Sequence, residues 1–229
     1  LDTFHALEAA HQGKMDCACI VGGNLYSATP QSDWAATALN RIGCKVFLTT
    51  TLNQGHLYGV EDSDSLILPV RARDEEQQPT TQESMFNYVR LSDGGIDRLD
   101  NVRSEVSILA TIGRLLLEKI GHDNPIDFSQ FEQHQTIRET IAKTVTGMED
   151  LKDIAVAKEE FHVRRRLLHT PRFNTPSKKA QFIVHDIPQA NTQSQQYPLL
   201  LASVRSEGQF NSIIYEETDS YRHNAHRQT

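Results

Sequence analysis

A short apolar run, Cys17-Ala18-Cys19-Ile20-Val21, stops abruptly in Gly22-Gly23-Asn24, and a second run, Val46-Phe47-Leu48, follows one helical span later. Small and branched apolar residues bounded by turn formers predict strands buried on both faces, as in a parallel sheet whose connections are helices. Between the two runs, Ser32 or Asp33 is placed to cap a helix that carries Trp34, Thr37, Ala38 and Arg41 and ends at Gly43. Strand, helix and strand over about thirty residues make a right-handed crossover unit with parallel strands. Open sheets of this kind bind ligands at the carboxyl ends of their strands. At that end the first strand offers Gly22, Gly23 and Asn24, where the missing Cβ atoms let a phosphate or sugar approach the backbone. The second offers Thr49-Thr50-Thr51-Leu52-Asn53-Gln54-Gly55-His56, a cluster of hydroxyls and amides that can hydrogen-bond a base or ribose without charge. Two adjacent strand ends of this chemistry describe one crevice.

The flanking pattern fits that unit. Residues 1–12 place Phe4, Leu7 and Ala10 at helical spacing before Gly13, and residues 65–69 read as a third strand closed by Pro69. From 70 to 101 the periodicity fades, and Arg73-Asp74-Glu75-Glu76-Gln77-Gln78-Pro79 reads as a solvated excursion. Asn101 is the expected cap of a helix over 102–120 with a stripe of Val106, Leu109, Ala110, Gly113, Leu116 and Leu117. A polar helical stretch over 128–168, broken near Gly147, carries Arg164-Arg165-Arg166 at its end, where positive charge suits a helix C-terminus. Residues 179–184, 198–204 and 209–215 read as antiparallel strands, the first two separated by a polar run over 189–196. The expected architecture is α/β: a parallel-sheet nucleotide-binding domain with flanking helices over 1–169, then an incomplete antiparallel, barrel-type segment over 170–229.

Composition removes several functional classes. The 229 residues are 38% hydrophobic and 23% charged, the balance of a globular protein, and no apolar run is long enough to cross a bilayer. A net charge of -7 argues against a nucleic-acid surface across the domain. Cys17, Cys19 and Cys44 make no disulfide framework, which suits a reducing, cytoplasmic setting. Cys17-Ala18-Cys19 has the wrong spacing for a zinc knuckle or a redox Cys-x-x-Cys, so both thiols are expected as small buried hydrophobes with no metal role. The chain opens directly on a helical pattern and reads as a piece of something longer.

Several segments, taken in order, match one family. They are Ile20-Val21-Gly22-Gly23-Asn24, Thr51-Leu52-Asn53-Gln54-Gly55-His56-Leu57 running on to Ile67-Leu68-Pro69, Glu83-Ser84-Met85 and Arg103-Ser104-Glu105. Later come Asn174-Thr175-Pro176-Ser177-Lys178-Lys179-Ala180-Gln181-Phe182, Val204-Arg205-Ser206-Glu207-Gly208-Gln209-Phe210-Asn211, Tyr215 and Asp219-Ser220-Tyr221-Arg222. On these the chain resembles the C-terminal part of the catalytic subunit of molybdopterin guanine dinucleotide oxidoreductases, the dimethyl sulfoxide reductase superfamily. Within it the resemblance is to the formate-dehydrogenase-like alpha subunits of bacteria.

The resemblance implies a nucleotide-binding α/β domain followed by the start of the β-barrel that caps the molybdenum cofactor. By it, Gly22, Gly23 and Asn24 would approach one guanosine diphosphate arm, with Thr49, Thr51 and Asn53 at the guanine or ribose and His56 as a hydrogen-bonding loop residue. Arg205, Ser206, Gln209 and Asn211 would touch pterin or phosphate from the cap side, Arg205 as a charge-assisted donor. Two departures stand out: many relatives carry an aspartate near Thr49, and Lys178 replaces the usual glycine of a Thr-Pro-Ser-Gly-Lys turn. The iron-sulfur cluster, the molybdenum ligand and its catalytic neighbours belong to family segments that precede residue 1. No catalytic residue or metal ligand is therefore expected here, and the implied partner is the remainder of the same polypeptide. The rival from another class is a non-catalytic nucleotide-binding or scaffold module. A nicotinamide enzyme is disfavoured, because Gly22-Gly23-Asn24 lacks the G-x-G-x-x-G spacing and no acidic residue closes the second strand.

Overall fold

The computed structural model describes residues 2–84, 87–121, 126–164 and 171–187. In chain order the elements are α1 (Thr3–His11), β1 (Cys17–Val21), α2 (Leu25–Ala28), α3 (Ser32–Asn40), β2 (Cys44–Thr49), β3 (Asp64–Pro69), β4 (Thr80–Glu83), β5 (Tyr88–Ser92), α4 (Glu105–Ile120), α5 (His134–Thr144), α6 (Ile154–Ala157) and β6 (Phe161–His162). A parallel sheet of order β1-β2-β3 and an antiparallel sheet of order β4-β5-β6 make the fold mixed α/β, with helices flanking the parallel sheet. No helix among the described residues is long and apolar enough to cross a membrane.

In the parallel sheet Cys17 stands opposite Cys44, and Cys44 opposite Asp64. One face, at Ala18, packs on Leu7 and Ala10 of α1 and on Ala38, Leu39 and Ile42 from α3 and its exit. On the other face Leu48, Val46 and Leu68 meet Val70 and Ile108 of α4. On the first face, opposite Ala18, lies Lys45, 0% exposed as the second residue of β2. Its Nζ donates to the carbonyls of Leu39 (2.9 Å) and Ile42 (3.1 Å) and to the Ser63 hydroxyl. The last carbonyls of a helix have no partner within it, and the C-terminal end of its dipole favours a cation, so Lys45 closes α3 from below. Burial holds its ammonium pKa below the ordinary lysine value, with Glu61 opposing the shift.

Several details correct the sequence reading. Strand β1 is not buried on both faces: it is an edge strand in which Cys17, Cys19 and Val21 are exposed. The cluster of Leu48, Val70 and Ile108 on that side takes in Val46 and Leu68 and no residue of β1. Cys17 and Cys19 are accordingly exposed, not buried hydrophobes, and residues two apart on a strand share a face; Cys44 is exposed as well. Cys17 and Cys44 stand opposite each other in the ladder, and burial first, then the neighbouring Cys44 thiol, push the Cys17 thiol above its ordinary value. Helix α3 has Gln31 at its cap with no side-chain bond, leaving Asp33 in the first turn. Helix α4 begins at Glu105 under a Ser104 cap, whose Oγ accepts from the Val106 N–H. Asn101 does not cap it, because a parallel bridge between Val70 and Arg103 holds the approach extended. On α4, Ile108 and Ala110 are buried while Leu109 and Leu116 of the expected stripe are exposed.

The antiparallel sheet arises where the periodicity fades. Thr80 pairs with Ser92 and Val89 with Glu83 and Phe161, over a core of Val89, Met148, Leu151, Ile154 and Val163. The stretch 73–79 is more than a solvated excursion: Arg98 pairs with Asp74 and Glu75, Glu76 is buried, and its carbonyl accepts from the Gly95 N–H at 2.7 Å. The stretch after 128 breaks at Gly147 as expected but ends in β6, and Arg164 beyond it pairs with Asp150 at 2.9 Å instead of sitting at a helix C-terminus. Residues 179–184 form no strand, with Phe182, Ile183 and Val184 exposed. The expected polar run over 189–196, the strands at 198–204 and 209–215, and Arg165-Arg166 lie outside the described residues. Lys178 takes φ 56, the glycine-type conformation, with its N–H donating to the Thr175 carbonyl at 3.0 Å.

Glu160 ties the second sheet together. Its carboxylate accepts from the Leu91 N–H (2.9 Å) and the Tyr88 hydroxyl (2.9 Å), with Arg90 at 3.8 Å. The Leu91 N–H, then the Tyr88 hydroxyl, hold its pKa below the ordinary glutamate value of 4.5. A carboxyl depressed in the folded state binds its proton more readily when unfolded. Its stabilisation is therefore complete above 4.5 and lost as pH falls through the depressed value. Urea midpoints measured from pH ~6 to ~3 fall less steeply in Glu160→Gln than in the parent chain; parallel curves would remove Glu160 from the acid response.

Candidate functional site at the strand ends

The carboxyl ends of β1 and β2 carry two loops that clasp each other. The Gly22 N–H donates to the Leu48 carbonyl at 2.7 Å, extending the ladder one step past β1. Gly22 (φ 64) and Gly23 (φ 75) then turn the chain through the left-handed region, and a Cβ on either would meet no atom within 4 Å. The backbone there is bare and faces open space. Asn24 follows, buried, its Oδ1 accepting from the Ser27 N–H at 3.0 Å to start α2.

From the other strand, the Thr49 hydroxyl donates to the Thr51 carbonyl at 2.7 Å. Asn53 is the centre of the second loop. Its Nδ2 donates to the Gly23 carbonyl at 3.0 Å, and its Oδ1 accepts from the Gly55 N–H at 2.9 Å. Its own N–H donates to His56 Nδ1 at 2.9 Å, a bond that assigns the imidazole proton to Nε2. The buried His56 ring lies edge-on to Phe47 with centroids 5.1 Å apart. Across the clasp the Ser27 hydroxyl donates to Gln54 Oε1 at 2.7 Å, and Tyr26 stacks on Tyr58 at 4.6 Å. Gly55 is required by proximity: a Cβ there would lie 2.8 Å from Asn24 Oδ1.

The structure thus gathers Gly22, Gly23, Asn24, Thr49, Thr51, Asn53 and His56 in one place, with two kinds of role. The side-chain polar atoms of Asn24, Thr49 and Asn53, and Nδ1 of His56, are engaged in holding the loops, while Gly22, Gly23 and the exposed Thr51 present the open surface. Arg205, Ser206, Gln209 and Asn211 lie outside the described residues. The Ser27–Gln54 and Tyr26–Tyr58 clasps escaped the sequence reading; their one local signal is an asparagine three residues before Ser27, the spacing of a helix cap. Among the described residues no group of three or more His, Cys, Asp or Glu side chains is placed to hold a metal ion.

No family model matches the chain. Among curated proteins it is similar to an uncharacterized oxidoreductase of Mycobacterium tuberculosis strain H37Rv, with 32% identity over 233 residues, covering 96% of this chain and 28% of the relative. A Mycobacterium bovis protein of the same description matches to the same extent. Protein YdeP of Escherichia coli K12 is 26% identical over 230 residues, covering 95% of this chain and 29% of YdeP. The chain therefore spans little more than a quarter of the length of these relatives, and what it shares with them is homology to part of larger proteins, two of them described as oxidoreductases.

Proposed function

We propose that this chain is the dinucleotide-holding part of a molybdenum-dependent oxidoreductase of formate-dehydrogenase-like type, residues 1–169 cradling a guanine dinucleotide arm and 170–229 opening the capping barrel. The observation that carries the reading is the bare Gly22-Gly23 backbone at the carboxyl end of β1, held beside the Thr49–Asn53 loop by the Asn53 to Gly23 bond. A diphosphate needs backbone that it can approach closely, and two left-handed glycines with open space before them meet that need. In this reading Gly22, Gly23 and Thr51 meet the nucleotide, while Asn24, Thr49, Asn53 and His56 keep the loops in register. Arg205, Ser206, Gln209 and Asn211 serve the pterin side. The molybdenum centre, when bound, supplies two-electron transfer between substrate and an iron-sulfur cluster carried by the rest of the polypeptide. The residues described here bind and orient; none moves a proton in the reaction.

Calorimetric titration with guanosine diphosphate tests the cradle. Saturable binding is expected, with Gly23→Val weakening it by roughly tenfold or more, because a branched side chain both resists φ 75 and fills the approach. Equal binding by Gly23→Val would remove the cradle. Metal analysis of the longer protein separates the readings: molybdenum near stoichiometry supports an oxidoreductase, and its absence supports a nucleotide-binding scaffold.

A further inference from the structure

A second site lies away from the strand ends, between β4, α4 and α5, and it is built around a buried cation. Arg138 is 5% exposed. Its Nη1 donates to the Pro79 carbonyl at 2.7 Å, and its Nη2 and Nε share Gln135 Oε1 at 2.9 and 3.3 Å. A guanidinium has five N–H donors, so two remain without an acceptor among the described residues. No carboxylate among the described residues forms an ion pair with it; the nearest acidic influence is Glu139, its exposed neighbour on α5. A buried cation with no counter-ion is expensive unless something supplies one.

Arg138 lines a cavity of about 220 Å³ together with His134, Thr80, Val106, Ile137 and Ile141 among others. The Thr80 hydroxyl is itself buried without a hydrogen-bond partner among the described residues. His134 is buried too, its Nδ1 facing the Pro79 carbonyl at 3.2 Å. Val106, Ile137 and Ile141 are also walls of an adjoining second cavity of about 350 Å³ between α4 and α5, lined by Leu109, Phe128 and Phe131. Gly113 makes room for that apolar end: a Cβ there would lie 2.5 Å from the Phe128 ring. One end of this space is oily, and the other holds an unpaired guanidinium and an orphan hydroxyl. Its combined size is that of an ordinary small-molecule site, about 300–1,000 Å³.

We infer that this space takes an amphipathic monocarboxylate, its carboxylate on Arg138 and the Thr80 hydroxyl and its alkyl chain between Phe128, Phe131 and Leu109. A planar guanidinium with two donors free suits a carboxylate, and the apolar walls reward a chain and not a hydrated polyanion. The site owes nothing to the strand-end loops, so it stands whether or not a dinucleotide binds there.

Titration calorimetry of the 229-residue chain with octanoate, octanamide, acetate and inorganic phosphate tests it. Octanoate is expected to saturate a single site, with octanamide at least about tenfold weaker because it leaves the cation unpaired, and with acetate and phosphate not saturating over the same range. Arg138→Gln should reduce octanoate to the level of octanamide, and Leu109→Asp, on a half-exposed residue of α4, should weaken octanoate by placing a carboxylate beside the chain. The acid-against-amide comparison on the unaltered chain stands even where Arg138→Gln fails to fold. Equal affinity for octanoate and octanamide, phosphate competing with octanoate on equal terms, or no saturation by octanoate would each overturn the inference.

Discussion

Lys45→Ala is expected to lower the stability of the parallel-sheet unit by about 4 kcal/mol, read as a drop in the urea midpoint with little change in slope. Two losses add. The substitution removes four side-chain atoms from a position that is 0% exposed, and it leaves the carbonyls of Leu39 and Ile42 without the ammonium that closes α3. Lys45→Met separates them, since it keeps the bulk and drops only the donors; about half the loss should remain. The sign of the pH response is fixed as well. Burial depresses the Lys45 pKa, so the unfolded chain binds the proton more tightly, and the penalty for carrying the charge is in full force below the depressed value. It fades as pH rises toward the ordinary value of 10.5, so the parent gains on Lys45→Met over that window. A Lys45→Ala variant within about 1 kcal/mol of the parent would mean that the ammonium is dispensable.

Gly147→Ala carries the second large effect, about 3 kcal/mol against the antiparallel unit. Gly147 has φ 92, and a Cβ there would lie 2.4 Å from the Arg164 carbonyl oxygen and 3.2 Å from Val163 Cγ1. The obstacle is backbone that follows β6, so relief requires moving the strand whose neighbour Val163 is fully buried. Gly121→Ala is the control. It has φ 68 at the C-terminus of α4 but nothing within 4 Å of the added methyl, so it should show the conformational penalty alone, about 1 kcal/mol. Equal losses at the two glycines would refute the crowding argument.

The crossover unit was legible because its signals are local: Gly13, Gly22-Gly23 and Gly43 punctuate apolar runs of the correct length, and the three parallel strands follow. Convergence of Asn24 and Asn53 was also legible, since neighbouring parallel strands bring their ends together. What each amide does there was not. Asn53 spends its side chain on the Gly23 carbonyl and the Gly55 N–H, a tertiary choice that spacing does not encode. Exposure of Cys17 and Cys19 was hidden for a similar reason: a small apolar run reads alike on an edge and in a centre, and the place of β1 at the edge of the sheet is a tertiary fact. The antiparallel sheet was missed because Thr80-Thr81-Gln82-Glu83 is a polar edge strand without alternation, and its partner β6 is two residues long. Arg138 falls in the polar stretch over 128–168 with no local signal to mark it; its Nη1 donates to the Pro79 carbonyl, far away in sequence.

Lys178 has a consequence for how relatives of this chain are sought. The bend at residues 175–178 closes through the Thr175 carbonyl with a lysine where the shape usually asks for the simplest amino acid. Any pattern that insists on that letter would pass over the chain while the loop geometry persists. In this bend the torsion angle is held without the residue type that most easily adopts it.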